Sequence, residues 1–513
     1  MESTNIHKKN NYMKKIILNT AIALISFFLL LLIVKGDAGS PIYFQSELDT
    51  KLGGPFETSG NNSRYALTKA LVDQKTIFFD EKLAKFASPD LVEQDGKFAT
   101  IFTPGVSFIA APFYYIGSIL GYPQLLTYLT TTLFALLNIF LVASVARKFN
   151  VNINLSLISG LIFVFATSAL SYANSLTQHH FSTAIILLAI LNALQKRTIL
   201  NNLFFGALVG IGALVDIPNL FFLAPVGIYV LTKHINLSSK LKLKPVFACL
   251  IAGVIPFVIL FAFYNKQTTG SYTTLSQSIG RSSTFASEET KLIEKKPQGD
   301  RPLLPFNTRN QLDGLYILTI SNERGIFYYS PILILGVLGL ILAYRAKTNN
   351  DLLSLLTSII LVNLTLYSMF NDPWGGWAFG PRYLIPASAL LSTAIAVSLS
   401  RFNKNLLFNS LFFGLLLYSI LVNTLGATTT SLVPPKVEAQ NLSTQIPYTY
   451  EYNFQLAQKN TSSSLIYNLI ADKFIDVKTY IFILGILILA SINLIYNASS
   501  IKNFILRRNY GKR

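Results

Sequence analysis

The chain has 513 residues, of which 51% are hydrophobic and only 13% are charged, and its mean hydropathy is +0.47. This composition is typical of a multi-pass membrane protein and excludes a soluble globular domain. The formal net charge of +18 does not indicate nucleic-acid binding, because most Lys and Arg stand in short clusters between apolar runs, where they set topology and meet anionic lipid. The single cysteine, Cys249, excludes an internal disulfide and a thiolate metal site.

The first apolar run extends from Ile16 to Val34 and follows a polar start that contains four lysines. It is long enough to span a bilayer as a helix. A cleaved signal peptide is the alternative, but the run exceeds the apolar core of such peptides, and Lys35 to Ser40 offers only a weak cleavage site. We therefore predict an uncleaved first helix with a cytoplasmic N-terminus.

A polar segment, Lys35 to Pro104, comes next and holds most of the acidic side chains of the N-terminal third. The apolar piece after it, Gly105 to Leu120, is short for a span and contains Pro112. If this piece crossed the membrane, every later basic cluster would face the wrong side. We therefore predict that it lies in the interface, or dips in and returns, so that residues 35–124 form one extracytoplasmic loop.

The remaining apolar runs alternate across the membrane so that every basic cluster falls on the cytoplasmic side. The predicted spans are Leu125 to Ala146, Leu155 to Leu170, Phe181 to Leu194, Leu203 to Val215, Leu220 to Leu231, Pro245 to Tyr264, Tyr328 to Ala343, Leu352 to Phe370, Tyr383 to Leu399, Leu406 to Gly426 and Thr479 to Tyr496. The predicted fold is an all-α polytopic membrane protein with about twelve transmembrane helices and both termini cytoplasmic.

The segment Asn371 to Tyr383, here called the Trp-Gly loop, stands between two long apolar runs and contains both tryptophans of the chain. Its two prolines and three glycines predict a tight turn at the membrane surface. One interpretation is an interfacial turn with Trp374 and Trp377 in the aromatic belt. The other adds Asp372 and Arg382 as a binding site, since a guanidinium binds a phosphate through two parallel hydrogen bonds.

The first outer segment contains a predicted surface helix and several carboxylates. Asn62 or Ser63 is placed to cap this helix, whose apolar positions share one face. Asp80, Glu81 and Asp95 are the carboxylates that best suit a general base brought back over the membrane. The alternative is a solvated connector with ordinary helix capping.

Three other outer loops supply candidates. His179 and His180 are adjacent, which on a helix points them about 100° apart, so hydrogen bonding to a sugar or phosphate is favoured over a shared metal. Asp216 stands at a helix end, as a structural cap or, because an unpaired charge at membrane depth is costly, with an Arg partner or a site function. Arg324 precedes a span and is either a site residue or a snorkelling anchor.

These motifs resemble those of polytopic GT-C type glycosyltransferases, and more narrowly the membrane branch related to protein O-mannosyltransferases and lipid A aminoarabinose transferases. The stretches that carry the resemblance are Asn62 to Tyr65, Ala70 to Val72, Thr76 to Glu81, Asp95 to Tyr114, Arg324 to Pro331 and Trp374 to Tyr383. The last of these is the most specific. The corresponding domain division is a transmembrane catalytic domain at 1–426, followed at 427–513 by an extracytoplasmic loop, the last helix and a basic cytoplasmic tail.

The resemblance implies a catalytic carboxylate in the first outer loop, a polyprenyl-phosphate-linked sugar as donor, an extracytoplasmic acceptor hydroxyl, and inversion at the sugar carbon. Asp80 and Asp95 are then candidate bases, and Arg382 and Arg324 candidate ligands of the donor phosphate. The candidate substrate-binding residues are Arg64, Tyr65, His179, His180, Asp216, Asp372, Trp374 and Trp377. Partners are membrane lipid and these substrates; no cofactor is certain, and a divalent metal stays open.

One position departs from the pattern of this family. Many relatives carry an acidic residue just ahead of the Ser-Arg-Tyr-like stretch, whereas Asn61 and Asn62 stand there in this chain. The departure leaves a non-catalytic scaffold as one alternative. The main alternative is a transporter or flippase of a lipid-linked or anionic substrate, but transporters place charges and broken helices at mid-membrane, often in two related halves, and this sequence does neither.

Overall fold

The computed structural model describes residues 2–35, 52–196, 198–237, 243–285, 311–442 and 444–510. Parts of the predicted outer segments, at 36–51 and 286–310, lie outside the described residues, as do the weak cleavage site after Lys35 and the end of the basic tail at 511–513.

Most of the described chain is helical. The helices up to residue 269 are α1 (Glu2–Leu31), α2 (Ser59–Lys69), α3 (Glu81–Ala87), α4 (Gly105–Leu120), α5 (Pro123–Ala146), α6 (Ile153–Phe165), α7 (His179–Ala193), α8 (Ile199–Val215), α9 (Asn219–Leu237) and α10 (Leu243–Thr269). Those after it are α11 (Ser276–Ile279), α12 (Gln311–Thr319), α13 (Ile326–Tyr329), α14 (Ile334–Arg345), α15 (Asn350–Ser368), α16 (Ile385–Phe402), α17 (Leu406–Thr428), α18 (Lys436–Ala439), α19 (Glu451–Gln458), α20 (Leu465–Leu469) and α21 (Val477–Tyr510). Strands β1 (Leu91–Gln94) and β2 (Lys97–Thr100) form one antiparallel hairpin.

Within the described residues, six stretches are long and apolar enough to span a membrane: Pro123–Phe149, Val246–Thr269, Asn350–Ser368, Arg382–Phe402, Leu406–Thr428 and Val477–Asn497. The shorter apolar helices are Ile16–Leu31, Gly105–Leu120, Ile153–Phe165, His179–Ala193, Ile199–Val215, Asn219–Lys233 and Pro331–Arg345. Every predicted span coincides with one of these helices. The polytopic helical fold is confirmed, with the small hairpin as an addition, and the number of crossings stays a prediction.

The segments that were predicted to lie outside the membrane on one face meet at one end of the helix bundle, here called the outer end. The hydrogen bonds that join them are Arg64 to Gln178 (2.8 Å), Thr103 to Val215 (2.9 Å), Tyr172 to Phe379 (3.0 Å) and Ala378 to Val433 (2.9 Å). Segments predicted to be cytoplasmic meet at the other end, through Asn349 to Lys148 (3.1 Å), Tyr229 to Asp351 (2.8 Å) and Tyr496 to Asn409 (2.8 Å). The predicted grouping of loops is therefore the one found.

Helix α4 has both of its ends at the outer end of the bundle. Its first residue, Gly105, packs so closely on the backbone of Leu214, at the end of α8, that a side chain there would overlap it. Helix α5 starts two residues after Gly121, and Tyr128 near that start donates to the Pro55 carbonyl of the first outer segment at 2.8 Å. That Gly105 to Leu120 does not cross the membrane on its own stays a prediction.

The first outer segment is folded down onto the bundle. Helix α2 is capped by Thr58, whose hydroxyl accepts from the Asn61 N–H at 3.4 Å, so the predicted caps Asn62 and Ser63 lie inside the helix instead. The helix is buried on nearly every side, and its polar residue Thr68 is buried as well. An Asp95-Gly96 turn with both φ angles positive (+51° and +73°) joins β1 to β2, as this dipeptide favours in tight hairpins.

Candidate active site

The Trp-Gly loop is a tight turn, as predicted, and its shape depends on glycine. Gly375, Gly376 and Gly380 have φ angles of +74°, +64° and +60°. A Cβ on Gly375 would lie 2.8 Å from Nε of Arg382, which shows how closely the loop wraps its own arginine. The backbone of this loop therefore positions the Arg382 guanidinium.

The two tryptophans hold the loop in place through their indole N–H groups. Trp374 donates to Oε2 of Glu323 at 2.6 Å, and Trp377 donates to Oε2 of Glu438 at 2.5 Å. Both rings are therefore bonded to carboxylates of neighbouring outer segments, and the predicted aromatic-belt placement does not describe them. Their bonds give Trp374 and Trp377 an anchoring role, which replaces the predicted contact with substrate.

Arg324 is fully buried, with an exposed fraction of 0%. Its guanidinium donates to five main-chain carbonyls, those of Trp374 (3.2 Å), Glu323 (2.7 Å), Tyr448 (3.3 Å), Val433 (2.8 Å) and Pro434 (3.3 Å). Arginine has five N–H donors, so none is left for a phosphate. The structure thus corrects the prediction for Arg324, which acts as a clamp between the Trp-Gly loop and the last outer segment.

Arg382 stands in a different environment. It follows the loop at the start of a short 3-10 turn, Arg382–Leu384, and its guanidinium carbon lies 5.5 Å from the ring centre of Tyr383. Asp372 and Tyr172 are the other groups that face its charge. Its Nε is buried and has no hydrogen-bond partner. Arg382 is therefore held in position but keeps donor capacity.

Arg64, on α2, faces the same region from the first outer segment. It donates to the Gly60 carbonyl at 3.0 Å and to Oε1 of Gln178 at 2.8 Å, and it stacks 3.9 Å above the ring of Phe102. Its Nε also lacks a partner. Burial lowers the pKa of Arg64 to about 10, Asp216 and Asp90 raise it, and the positive charge of Arg382 lowers it. The charge of Arg382 thus acts on Arg64, but less strongly than the charges of Asp216 and Asp90 do.

Asp216 lies in the turn between α8 and α9, facing both guanidiniums. Its backbone ends α8, through its N–H to the Gly212 carbonyl at 2.9 Å. Burial raises the pKa of Asp216 to about 6, although Arg64, the Gln178 amide and Arg382 all act to lower it. Asp216 is partly exposed. Arg64 and Arg382 both act on the charge of its carboxylate, as the arginine-partner interpretation predicts.

The side chains of His179 and His180 point into different surroundings, as predicted for adjacent residues on a helix. His180 is fully buried, with Nε2 2.8 Å from the Ala169 carbonyl, and it serves the helix packing rather than a substrate. His179 packs against Tyr172, with ring centres 5.3 Å apart, and faces Arg382 and Arg64. No group of three His, Cys, Asp or Glu side chains that would suit a metal occurs among the described residues.

Five residues therefore form what we call the polar cluster: Arg64, Gln178, His179, Asp216 and Arg382. They come from α2, the start of α7, the α8–α9 turn and the Trp-Gly loop, so four separate parts of the chain converge at the outer end. Gln178 was missed as a candidate. Its only sequence signal was its place beside two histidines, since its partner Arg64 is 114 positions away.

The two predicted catalytic carboxylates lie outside the polar cluster. Asp80 is exposed and caps α3, with Oδ1 accepting from the Leu83 N–H at 2.8 Å and Oδ2 from Gln74 at 2.6 Å. Asp95 is exposed at the tip of the hairpin, about 13 Å along the strands from the end that contacts α2. The predictions for Asp80 and Asp95 are corrected to a helix cap and a turn residue.

Tyr65 also differs from its predicted role in substrate binding. It is 1% exposed, and its ring lies 4.8 Å from Phe56, 5.7 Å from Tyr114 and 6.4 Å from both Phe86 and Tyr128, measured between ring centres. This aromatic packing fastens α2 to α3, α4 and α5. Tyr65 is therefore a core residue.

Fold and site together define a polytopic all-α membrane protein that carries a cationic polar cluster at one end of its bundle. No protein-family model matches the chain, and no curated protein does.

The chain is similar to two solved structures of ArnT from Cupriavidus metallidurans. The structure bound to undecaprenyl phosphate has a TM-score of 0.49 and 13% identity, over 94% of this chain and 77% of that one. The apo structure has a TM-score of 0.48 and 12% identity, over 95% and 77%. This likeness concerns the fold alone.

Proposed function

We propose that the chain is a membrane glycosyltransferase that moves a sugar from a polyprenyl-phosphate donor to an acceptor hydroxyl on the extracytoplasmic side. The observation that carries this proposal is that Arg64 and Arg382 each have a buried Nε without a hydrogen-bond partner, and that both act on the charge of Asp216. A phosphate bound beside them engages the free donors through charge-assisted hydrogen bonds. The motif resemblance names the anion as the donor phosphate.

Arg382 then stabilises the negative charge that develops on the lipid phosphate as the sugar leaves. Arg64 holds the same phosphate from the other side. Because the Trp-Gly loop is fixed by Glu323, Glu438 and the Arg324 clamp, Arg382 needs little reorganisation when that charge appears. Arg324 itself takes no part in phosphate binding. The resemblance further implies inversion at the sugar carbon.

The test uses the purified full chain in lipid nanodiscs, a polyprenyl-phosphate sugar labelled in the sugar, and an envelope extract as the acceptor. An enzyme releases unglycosylated polyprenyl phosphate and transfers the label to the extract. In proteoliposomes, a transporter or flippase moves the labelled lipid between leaflets with the sugar–phosphate bond intact. If the protein binds polyprenyl phosphate in a way that depends on Arg382, and yet does not cleave the sugar–phosphate bond, the transferase proposal is rejected.

A further inference from the structure

The position on α2 that lies about one helical turn before Arg64 carries an amide. Asn61 precedes Arg64 by three residues, so the two side chains lie on the same side of the helix. Asn61 is 1% exposed, and its Oδ1 has no hydrogen-bond partner. A carboxamide does not accept a proton near neutral pH, so a base for the proposed transfer has to come from another element.

The carboxylates of the first outer segment that the structure describes each have other partners or an exposed position. Their partners are Lys35 for Glu57, Lys69 and Tyr114 for Asp73, Gln74 for Asp80, Lys85 for Glu81, Ser59 and Arg281 for Asp90, and Ser282 and Thr284 for Glu93, while Asp95 is at the exposed hairpin tip. Asp216 and Asp372 act on the charge of Arg382, and Asp216 and Asp90 act on that of Arg64. Asp216 is the carboxylate that these two pairs share, and Asp90 is held by Ser59 and Arg281.

We propose that Asp216 is the base of the transfer and that Gln178 positions it, an inference that rests on the proposed function. Arg64 donates to Oε1 of Gln178 at 2.8 Å, and the Gln178 amide in turn faces the Asp216 carboxylate. A carboxylate held in this way stands next to the site assigned to the donor phosphate, at the outer end where an acceptor arrives. Gln178 thus connects phosphate binding to the base.

In the reaction, Asp216 takes the proton of the acceptor hydroxyl while the oxygen forms its bond to the anomeric carbon. The bond from that carbon to the phosphate oxygen breaks, and its electron pair stays on the lipid phosphate, where Arg382 and Arg64 face it. The proton is later released to solvent from Asp216. No oxidant, reductant or further reactant is required.

The ionisation of Asp216 suits this role. Burial raises its pKa to about 6, so the group is mostly a carboxylate at pH 7 and still basic enough to take a proton. The titratable groups that face it are Arg64 from α2, Arg382 and Tyr383 from the Trp-Gly loop and Tyr367 from α15, with His179 facing the same two guanidiniums. Gln178 and the arginines favour the charged form, and burial opposes it.

The experiment measures kcat and KM for sugar transfer from pH 5 to 8, together with direct binding of polyprenyl phosphate, for wild type, Asp216→Asn, Asp216→Glu and Gln178→Ala. We expect wild-type kcat to fall as the pH drops through about 6. Asp216→Asn should lower kcat by about 100-fold or more, the range for loss of a general base, without weakening polyprenyl-phosphate binding. Asp216→Glu should restore part of kcat.

Gln178→Ala removes a hydrogen bond that lowers the pKa of Asp216, so the acid side of its kcat profile should move to higher pH. A purely structural glutamine would leave the profile in place. Asp95→Asn is the matched control, the same carboxylate-to-amide change at the hairpin tip, and should transfer at the wild-type rate.

If Asp216→Asn retains wild-type kcat and the same pH profile, the base assignment is wrong while the proposed function stands. If the wild-type protein transfers no sugar, both are wrong.

Discussion

Two arginines of the outer end, Arg324 and Arg382, stand in opposite surroundings although both were predicted to bind a phosphate. Arg324 donates all five of its N–H groups to main-chain carbonyls, and it is fully buried. Arg382, tied to the same loop, has a buried Nε without a partner. A guanidinium that is saturated by carbonyls stabilises the fold, and one that keeps a free donor is able to bind an anion.

The comparison extends to the carboxylates at the same end. Glu57 accepts from Lys35, from Thr430 at 2.6 Å, and from the hydroxyl and N–H of Ser431 at 2.6 and 3.0 Å, and so joins the first outer segment to the last. Asp216 is surrounded by Gln178 and by the guanidiniums of Arg64 and Arg382. One carboxylate is fully satisfied within the fold, and the other faces charges that a ligand would compensate.

The largest effect that would test this comparison is expected at Arg382. We predict that Arg382→Ala lowers sugar transfer by at least about 100-fold, because charge on the leaving phosphate loses its fixed partner. Arg382→Lys should recover only part of the transfer rate, since an ammonium lacks the planar guanidinium that forms two parallel hydrogen bonds to a phosphate. Both variants should insert and unfold like wild type, as measured by thermal unfolding in detergent. Transfer at the wild-type rate by Arg382→Ala in membranes would refute the phosphate role.

The opposite result is expected at Arg324. Arg324→Ala leaves five carbonyls without their donor and opens a cavity, so the free energy of unfolding should fall by several kcal/mol, since each unsatisfied buried acceptor costs about 1–3 kcal/mol. Arg324→Lys should rescue little, because three N–H groups do not replace five. If Arg324→Ala keeps wild-type stability and instead loses binding of polyprenyl phosphate, the division between the two arginines is wrong.

Glu57 gives a pH-dependent test of the satisfied carboxylate. Burial raises its pKa, but the charge of Lys35 and the hydrogen bonds from Lys35, Ser431 and Thr430 outweigh burial and hold it below the usual value. A lowered folded-state pKa stabilises the protein above the unfolded-state value of 4.5, and this stabilisation is lost as the pH falls through the folded-state value. The thermal unfolding temperature of wild type should therefore decrease as the pH drops below about 4.5. In Glu57→Gln this temperature should depend less on pH.

The smallest effect is expected at Asp80. Asp80→Asn keeps a capping side chain on α3, so the free energy of unfolding should change by less than about 1 kcal/mol, and transfer should match wild type. Parallel assays of Asp80→Asn and Asp216→Asn compare the same chemical change inside and outside the polar cluster. Loss of sugar transfer in Asp80→Asn would indicate that the general base lies in the first outer segment.

The β1–β2 hairpin has a local sequence signal. As a carboxylate, Asp95 is a candidate general base, but Asp-Gly between two short polar-apolar stretches is also a strong hairpin signal. The positive φ angles of Asp95 and Gly96 confirm such a turn. That signal places the side chain at an exposed tip, away from a buried site. Thr58 was likewise available as a helix cap, one residue before Ser59.

The sequence by itself determined the helices and their grouping at two ends, because apolar run length and the placement of Lys and Arg are local properties of the chain. It also named Arg64, Asp216 and Arg382 among its candidates. Only the tertiary structure decided which of the charges are satisfied. The partners that saturate Arg324 lie up to 124 positions away, and Gln178 meets Arg64 across 114 positions. Whether a buried donor is free depends on such distant contacts, which no local pattern encodes.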